Sequence, residues 1–276
     1  MRLSIIGLGG IGASVGLAIK AHRLPLQIMG YDLRREVMEE AHARGVIDAP
    51  CPTLEACAEA DLILLATPPR AIYDCLLQLA PRLKPDTILT DVASVKAPVL
   101  AWAQELLPYP EQFIGGHPIA GTEQSGLQAA RADLFEDAPW VLTPTVQTNP
   151  DALQQVEALV QSLGAIPTRL NAEQHDREFA LLSFLPHCIA FSLIALQQEH
   201  PTQLPGGRSW RDATRVAASD PELWTELLIL NRQNTLEYLN ALTHRLRELA
   251  ELLAQADAEQ IRAFLRVGSV RYTPRG

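Results

Sequence analysis

A short apolar strand, a glycine-rich loop and a helical pattern follow one another at the start of the chain, and this order constrains the fold more than any other feature. Leu3–Ile6 is short and mostly apolar, Gly7 to Gly12 fit the pattern G-x-G-x-x-G, and apolar residues recur at helical spacing after Ala13. In such a loop the first glycine permits a tight turn, the second lets a pyrophosphate approach the backbone, and the third lets the helix pack against the strand. The unpaired N–H groups at the helix start favour an anion. The segment therefore predicts the first unit of a dinucleotide-binding fold.

An acidic residue ends the next predicted strand, QIMGYD. This residue, Asp32, lies 20 positions after Gly12, where such folds place an acid that accepts hydrogen bonds from a ribose. The carboxylate favours NAD, although Arg34 and Arg35 follow directly and could hold the 2′-phosphate of NADP. The alternative for Asp32 is the N-cap of a helix from Arg34 onward. The candidate cofactor contacts are Gly7, Gly9, Gly10, Ile11, Gly12, Asp32, Thr67 and Pro68.

Strand-like and helix-like segments alternate as far as residue 171. Apolar runs such as ADLILLA, TILTD, QFIGG and PWVLT are separated by helical or turn segments, and AIPTRL is the last of them. This alternation predicts βαβ units and a mostly parallel sheet of the Rossmann type, which binds ligands at the carboxyl ends of its strands. Thr67, Ser94 and His117 each follow a predicted strand, so we expect them to face one crevice. Residues 1–171 are accordingly predicted to form a dinucleotide-binding domain.

From residue 172 onward the pattern is helical only, which predicts an all-helical domain over residues 172–276. Residues 175–200 are apolar on more than one face, so we expect a buried helix there. The sequence Asp220-Pro221-Glu222 is a strong helix start. Further on, leucines at alternating spacings of three and four form a narrow apolar seam, which either a neighbouring helix or a second subunit could cover. We expect a homodimer through this domain, with a seam of Leu239, Leu242, Leu246, Leu249 and Leu253.

Charge and composition argue against several classes of partner. The formal net charge is −9 and basic residues do not cluster, whereas nucleic acids and anionic membranes require a concentrated positive patch. No apolar run reaches the roughly 20 residues needed to span a bilayer. The four cysteines form no C-x-x-C pair and no zinc-like spacing with histidine. We therefore expect no metal, and a cytoplasmic protein with reduced thiols.

Five motifs, in order and over most of the chain, resemble those of the prephenate/arogenate dehydrogenase family of tyrosine biosynthesis. GLGGIGASVG looks like the family's cofactor loop, DVASVK like its D-x-x-S-V-K segment, and GGHPIAGTEQSG like its most distinctive motif. SFLPH is similar to a segment usually written S-H-L-P-H, and WRDATRVAASDPELW resembles the substrate-binding stretch. The resemblance implies oxidative decarboxylation of a cyclohexadienol: hydride passes to a nicotinamide, the hydroxyl loses its proton, and carbon dioxide leaves as the ring becomes aromatic.

The resemblance also implies roles for individual residues. His117 matches the catalytic base, a task that suits the near-neutral pKa of histidine, and its flanking glycines would let a substrate come close; the alternative is an inert histidine in a tight turn. Ser94 matches a hydroxyl near the same centre, or else caps the next helix. Arg215 matches the arginine that grips a substrate carboxylate, with a surface ion pair as its alternative. The further substrate contacts that the resemblance implies are His187, Thr122, Glu123 and Arg211.

One position departs from the family pattern, and alternatives stay open. Phe184 stands where the family usually has a histidine, so the hydrogen bonds of that histidine are absent or replaced. The sequence does not separate prephenate from arogenate as the substrate. A β-hydroxyacid dehydrogenase is a competing function, but such enzymes use a lysine in the helical half, and residues 172–276 contain none. A nicotinamide-binding regulatory module without catalysis is another, and it would require neither His117 nor Arg215.

Overall fold

The computed structural model describes residues 1–121 and 126–269, and eight strands in this part of the chain form one sheet. The strands are β1 (Arg2–Ile6), β2 (Gln27–Tyr31), β3 (Ala49–Pro50), β4 (Leu62–Leu65), β5 (Ile88–Asp91), β6 (Phe113–Pro118), β7 (Pro139–Thr143) and β8 (Ile166–Arg169). Their order across the sheet is β3-β2-β1-β4-β5-β6-β7-β8. All neighbours are parallel except β6 and β7, which pair antiparallel. The predicted mostly parallel sheet of the Rossmann type is therefore confirmed.

Helices cover both faces of this sheet. The helices between the strands are α1 (Gly10–Ala21), α2 (Arg35–Ala43), α3 (Pro69–Leu79), α4 (Ala97–Leu106) and α5 (Pro150–Ser162). Helices α1, α2 and α5 bury apolar side chains against one face, and α3 and α4 against the other. Both coverings are needed because the strands of a parallel sheet are apolar on both sides.

Every described element after β8 is helical. These elements include α6 (Ala172–Phe179), α7 (Leu185–Glu199), α8 (Arg208–Thr214), α9 (Pro221–Leu230), α10 (Arg232–Gln255) and α11 (Ala258–Ser269). One turn of π-helix, Ala180–Phe184, joins α6 to α7 into a continuous helix. Pro186 follows this turn, and in a regular α-helix its ring would clash with the carbonyl group four residues earlier. The wider π-helical turn lies just before the proline, where it can relieve this clash. The predicted start of α9 is confirmed, because Asp220 accepts a hydrogen bond from the N–H of Glu222 at 3.0 Å.

The helical half packs on the face of the sheet that carries α3 and α4. Ala180, Phe184, Trp224 and Leu227 are buried in the same apolar cluster as those two helices. The ring of Phe184 meets the ring of Trp224 edge-on, with 5.3 Å between centroids. Phe184 therefore serves as an apolar packing residue at the position where a polar ring was expected from the family pattern.

The expectation that residues 175–200 form a buried helix is wrong for the single chain. Leu182 is 68% exposed and Leu196 53% exposed. The helix is apolar around its circumference, but the sheet and the neighbouring helices of the same chain cover only one side of it. By length and composition alone, the helix Ala172–Glu199 could cross a membrane, and core helices of soluble proteins meet the same two criteria. Part of the predicted leucine seam is open as well, with Leu246 56% exposed.

Candidate active site

The glycine loop between β1 and α1 is tightly packed at two of its glycines and open at a third. Gly7 has a φ angle of +94°, and a Cβ there would overlap with the carbonyl group of Ala66. A Cβ on Gly12 would overlap with the carbonyl oxygen of Gly7, so only glycine lets α1 approach β1 this closely. A Cβ on Gly9 would meet no atom within 4 Å, and the first turn of α1 has neither a side-chain cap nor an acidic residue. The loop thus offers room and free N–H groups to an anion.

A crevice of about 410 Å³ opens beside this loop, at the carboxyl ends of β1, β4, β5 and β6. The strand order changes direction between β1 and β4, which is where sheets of this kind bind their ligands. On the other side, α9 contributes Asp220, Leu223 and Leu227 to the wall. Six sequence-predicted residues line the crevice, namely Gly9, Gly10, Ile11, Thr67, Pro68 and Ser94.

Asp32 directly follows β2 and is tied to the glycine loop. Its Oδ2 accepts the N–H of Leu8 at 3.1 Å, and its Oδ1 accepts the N–H of Arg34 at 3.1 Å. The Arg34 Nε lies 3.6 Å from the same Oδ1. Helix α2 begins at Arg35 without a side-chain cap, so Asp32 is not its N-cap. Each carboxylate oxygen keeps a lone pair for another donor such as a ribose hydroxyl.

Ser94 lies in the crevice wall between β5 and α4. Helix α4 begins at Ala97 with Lys96 at the N-cap position, and the N–H groups of Lys96 and Ala97 donate to the carboxylate of Asp176 and not to Ser94. The alternative interpretation, in which Ser94 caps this helix, is therefore wrong.

His117 lies on β6 where the sheet meets α6, and it is 8% exposed. Its Nδ1 is 2.8 Å from the Nε2 of His175, and its ring packs edge-on against Phe179 with 4.8 Å between centroids. Burial, followed by the electrostatic effects of His175 and Lys96, holds the pKa of His117 well below 6.5. The imidazole is therefore neutral at neutral pH and can accept a proton.

The two glycines before His117 serve packing inside the protein. A Cβ on Gly116 would lie 2.6 Å from the carbonyl oxygen of Asp91, and one on Gly115 would overlap with the hydroxyl of Thr143. The expectation that these glycines give clearance to a substrate is therefore wrong. They let β6 lie close to both of its neighbouring strands.

A buried cluster of charged groups, which the sequence analysis missed, lies behind His117. Lys96 is fully buried, and its Nζ donates to the Asp91 carboxylate and, at 2.6 Å, to the carbonyl oxygen of Gly116. The N–H of Lys96 donates to Asp176 at 2.7 Å. Burial lowers the pKa of Lys96, and Asp91 opposes that shift. Two features of the sequence could have indicated this cluster. Asp91 and Lys96 are the first and last residues of the segment DVASVK, and His175 stands next to Asp176 near the start of an apolar helix.

His187 lies on α7 with its ring stacked on the indole of Trp224, 3.5 Å between centroids and 21° between planes. Its Nδ1 lies 2.9 Å from the carbonyl oxygen of Ser183, so Nδ1 carries the proton and donates. Burial lowers the pKa of His187, and the hydrogen bond to Ser183 opposes the shift. The ring is thus neutral and held on the face of α7 that meets α9.

The predicted arginines have exposed side chains in the helical half. Arg211 lies on α8, and Arg215 begins the short 3-10 turn Arg215–Ala218 that follows it. Within residues 1–121 and 126–269, the lining of the crevice includes neither these arginines nor His117 and His187. Two further predicted contacts, Thr122 and Glu123, lie outside the described residues. No group of three or more His, Cys, Asp or Glu in the described ranges is placed to hold a metal ion.

Comparison with protein families gives two matches that together span most of the chain. Residues 15–167 match the nucleotide-binding domain of prephenate dehydrogenase, and residues 171–267 match the prephenate dehydrogenase dimerization domain. The cyclohexadienyl dehydrogenase of Zymomonas mobilis subsp. mobilis is 36% identical over 267 residues, which cover 94% of this chain and 91% of that protein.

Solved structures show the same similarity. The prephenate dehydrogenase from A. aeolicus, in complex with hydroxyphenyl propionate and NAD+, superposes with a TM-score of 0.92 at 29% identity, covering 98% of this chain and 96% of that one. The arogenate dehydrogenase of Synechocystis gives a TM-score of 0.81 at 31% identity and covers 98% of each chain.

Proposed function

Since the chain belongs to the prephenate dehydrogenase family, we propose that it oxidises and decarboxylates a cyclohexadienol, prephenate or arogenate, in tyrosine biosynthesis. The ring carbon that bears the hydroxyl gives up a hydride, and the hydroxyl gives up its proton. The electron pair of the bond to the departing carbon dioxide enters the ring, which becomes aromatic. The observation that carries the proposal is a buried, neutral histidine, His117, on the strand whose end lines a dinucleotide crevice.

The residues around the crevice fit NAD. Gly7 and Gly12 hold the loop tight, and Gly9 leaves open space where a pyrophosphate would lie on the start of α1. Asp32 would accept hydrogen bonds from the ribose and repel a 2′-phosphate. Thr67 and the other lining residues would contact the rest of the dinucleotide. The chemistry that a bound NAD supplies is acceptance of the hydride.

The substrate is proposed to lie between the crevice and the helical half. His117 would take the hydroxyl proton, and Ser94, in the crevice wall, would hydrogen-bond near the same centre. Arg215 would bind a substrate carboxylate, because a guanidinium can donate two parallel hydrogen bonds to it. His187 would contribute its unprotonated Nε2, and Arg211, Thr122 and Glu123 remain proposed contacts.

Turnover of the purified protein tests this function directly. The protein is mixed with NAD and with prephenate or arogenate in separate reactions, and reduced nicotinamide and carbon dioxide are measured. We expect equal amounts of both products with at least one substrate, and the relative kcat/KM values identify the preferred one. A protein that binds NAD but yields neither product with either substrate would instead be a regulatory module.

The assembly and the division of labour are proposed on the same basis. Residues 1–171 would bind the cofactor, and residues 172–276 would bind the substrate carboxylate and a second copy of the chain. The matched dimerization domain and the exposed apolar side of the helix Ala172–Glu199 support a homodimer. The cytoplasm is the proposed compartment, because the relatives are biosynthetic dehydrogenases.

A further inference from the structure

A chain of hydrogen bonds runs from His117 away from the substrate side and into the protein. The Nδ1 of His117 lies 2.8 Å from the Nε2 of His175, and the Nδ1 of His175 lies 2.7 Å from the Oδ1 of Asp176. His175 is completely buried, and Asp176 is 3% exposed. The chain joins β6 to α6 across 58 residues of sequence.

The direction of each hydrogen bond follows from the last member of the chain. Both carboxylate oxygens of Asp176 accept backbone N–H groups, from Lys96 at 2.7 Å and from Ala97 at 2.9 Å, so this side chain is an ionised acceptor. His175 must then donate from Nδ1, which leaves its Nε2 as an acceptor in the neutral ring. His117 must therefore donate from Nδ1, and its Nε2 carries the free lone pair.

The charges around the two rings favour a proton that arrives there. Among the described residues, Lys96, Asp91 and Asp176 are the charged groups that face His117 and His175. Two carboxylates and one ammonium leave a single excess negative charge in a buried region, where electrostatic interactions are strong. Burial nevertheless lowers the pKa of His175, as it does that of His117, so both rings are neutral at rest. A proton taken up from the substrate hydroxyl therefore brings the cluster to neutrality.

We propose that His175 and Asp176 are positioning residues that hold His117 in the tautomer with a proton on Nδ1, so that Nε2 is the atom that takes the substrate proton. This inference rests on the proposed function, in which His117 is the base. In the step itself the O–H bond of the substrate breaks and an N–H bond forms at Nε2 of His117. The positive charge is shared with His175 and balanced by Asp176. When carbon dioxide has left and the ring is aromatic, the proton returns to the phenolic oxygen.

The tautomer can be measured without any turnover. In the ligand-free protein labelled with ¹⁵N at histidine, the signal of His117 is identified by its loss in His117→Asn. We expect a protonated Nδ1 and an unprotonated Nε2 at neutral pH. A proton on Nε2 of His117 in the wild-type protein would overturn the inference.

Two substitutions of His175 separate positioning from simple packing. His175→Leu removes the acceptor for the Nδ1 proton of His117, so kcat should fall about tenfold to a hundredfold, less than loss of the base itself costs. His175→Gln offers an amide oxygen in nearly the same place and should recover most of kcat, while the acid limb of kcat/KM should move because the ring that links His117 to Asp176 is gone. His22→Gln, an exposed histidine at the end of α1, is the control and should change neither.

The outcomes distinguish this inference from the proposed function. Equal losses in His175→Leu and His175→Gln, with an unmoved acid limb, would mean that His175 only packs. A wild-type protein with the expected tautomer but no turnover of prephenate or arogenate would refute the proposed function, and the tautomer assignment would still stand.

Discussion

At the scale of single residues, substitution should separate the residues that are proposed to bind a ligand from His117, which is proposed to accept a proton. His117→Asn keeps much of the size and polarity of the side chain but removes the proton acceptor. Loss of a general base typically costs about 10²- to 10⁴-fold, so we expect kcat to fall within that range. Affinity for NAD, measured by fluorescence titration, should stay nearly the same.

The direction of the pKa shift of His117 predicts how kcat/KM should depend on pH. Because burial holds the pKa of His117 below 6.5, the base is neutral above that pH and becomes protonated as the pH falls through its pKa. Wild-type kcat/KM should therefore decline on the acid side, below pH 6.5, and His117→Asn should lack this limb. A variant that retained the limb or most of kcat would return His117 to a structural role.

Arg215 should affect the substrate and leave the cofactor alone. A charge-assisted hydrogen bond contributes roughly 1.5–3 kcal/mol, which is about one to two decades in affinity. We expect Arg215→Ala to raise the KM of the substrate by that factor with unchanged affinity for NAD. The control is Arg208→Ala, seven residues away, whose exposed side chain lies 3.6 Å from Asp212. An unchanged KM in folded Arg215→Ala would leave this arginine as a surface ion-pair residue.

Asp32 should set the choice of cofactor. Its carboxylate would repel the 2′-phosphate of NADP, while Arg34 lies close enough to bind that phosphate once the acid is gone. Asp32→Ser should therefore shift the ratio of kcat/KM for NAD over NADP toward NADP. A wild-type protein that already strongly prefers NADP would contradict the assignment of NAD.

Some site residues could be predicted from the sequence and others could not, because only some of them have their structural partners nearby in the chain or in a recognisable motif. The contacts of Asp32 follow from its place after a strand and near a glycine loop, so a single sequence carries that information. Lys96 and Asp176 are joined by a hydrogen bond although they lie 80 positions apart in the sequence. The residues around either one carry no pattern that indicates the other as a partner. This contact forms only when α6 has packed against the start of α4.

Among the elements, the loop between β1 and α1 allows a test in which two glycines of one motif behave oppositely. Gly9→Ala places a Cβ in open space, so the free energy of unfolding should change little while the methyl group weakens NAD binding by about tenfold or more. Gly12→Ala forces a Cβ onto the carbonyl oxygen of Gly7 and should destabilise the fold itself. Denaturant titration and NAD titration of both variants provide the measurement. If Gly9→Ala bound NAD as tightly as the wild type, the pyrophosphate would not lie on this loop.

The sequence predicted most elements of the sheet half, because its strands are short apolar runs and its helices follow them in regular alternation. It did not predict β3, since two residues are too short for any periodic signal. The sequence also led to a wrong prediction of burial for the helix Ala172–Glu199. A helix that is apolar all round gives the same sequence pattern whether the same chain or a second chain covers it.

At the scale of the whole molecule, the exposed apolar side of that helix should bring two chains together. We expect a homodimer in sedimentation at micromolar concentration, and Leu182→Asp should dissociate it, because a charge would enter an apolar interface. Val146→Asp is the matched control: Val146 is an exposed apolar residue like Leu182 but lies in the sheet half, and its substitution should leave the dimer intact. A wild-type monomer under these conditions would refute the proposed assembly.

The hydrogen bonds between Asp176 and the start of α4 also bear on the order in which the chain folds. The βα units before residue 170 join neighbouring segments, whereas His117, Lys96 and Asp176 meet only when a helix from the second half docks on the finished sheet. Contacts between distant parts of a chain form slowly, and a domain synthesised first generally folds first. During synthesis the first half should therefore form its sheet and its glycine loop while the ribosome is still translating the rest. His117, the proposed base, should acquire its hydrogen-bond partner His175 only in the last stage, after the glycine loop that is proposed to bind NAD has formed.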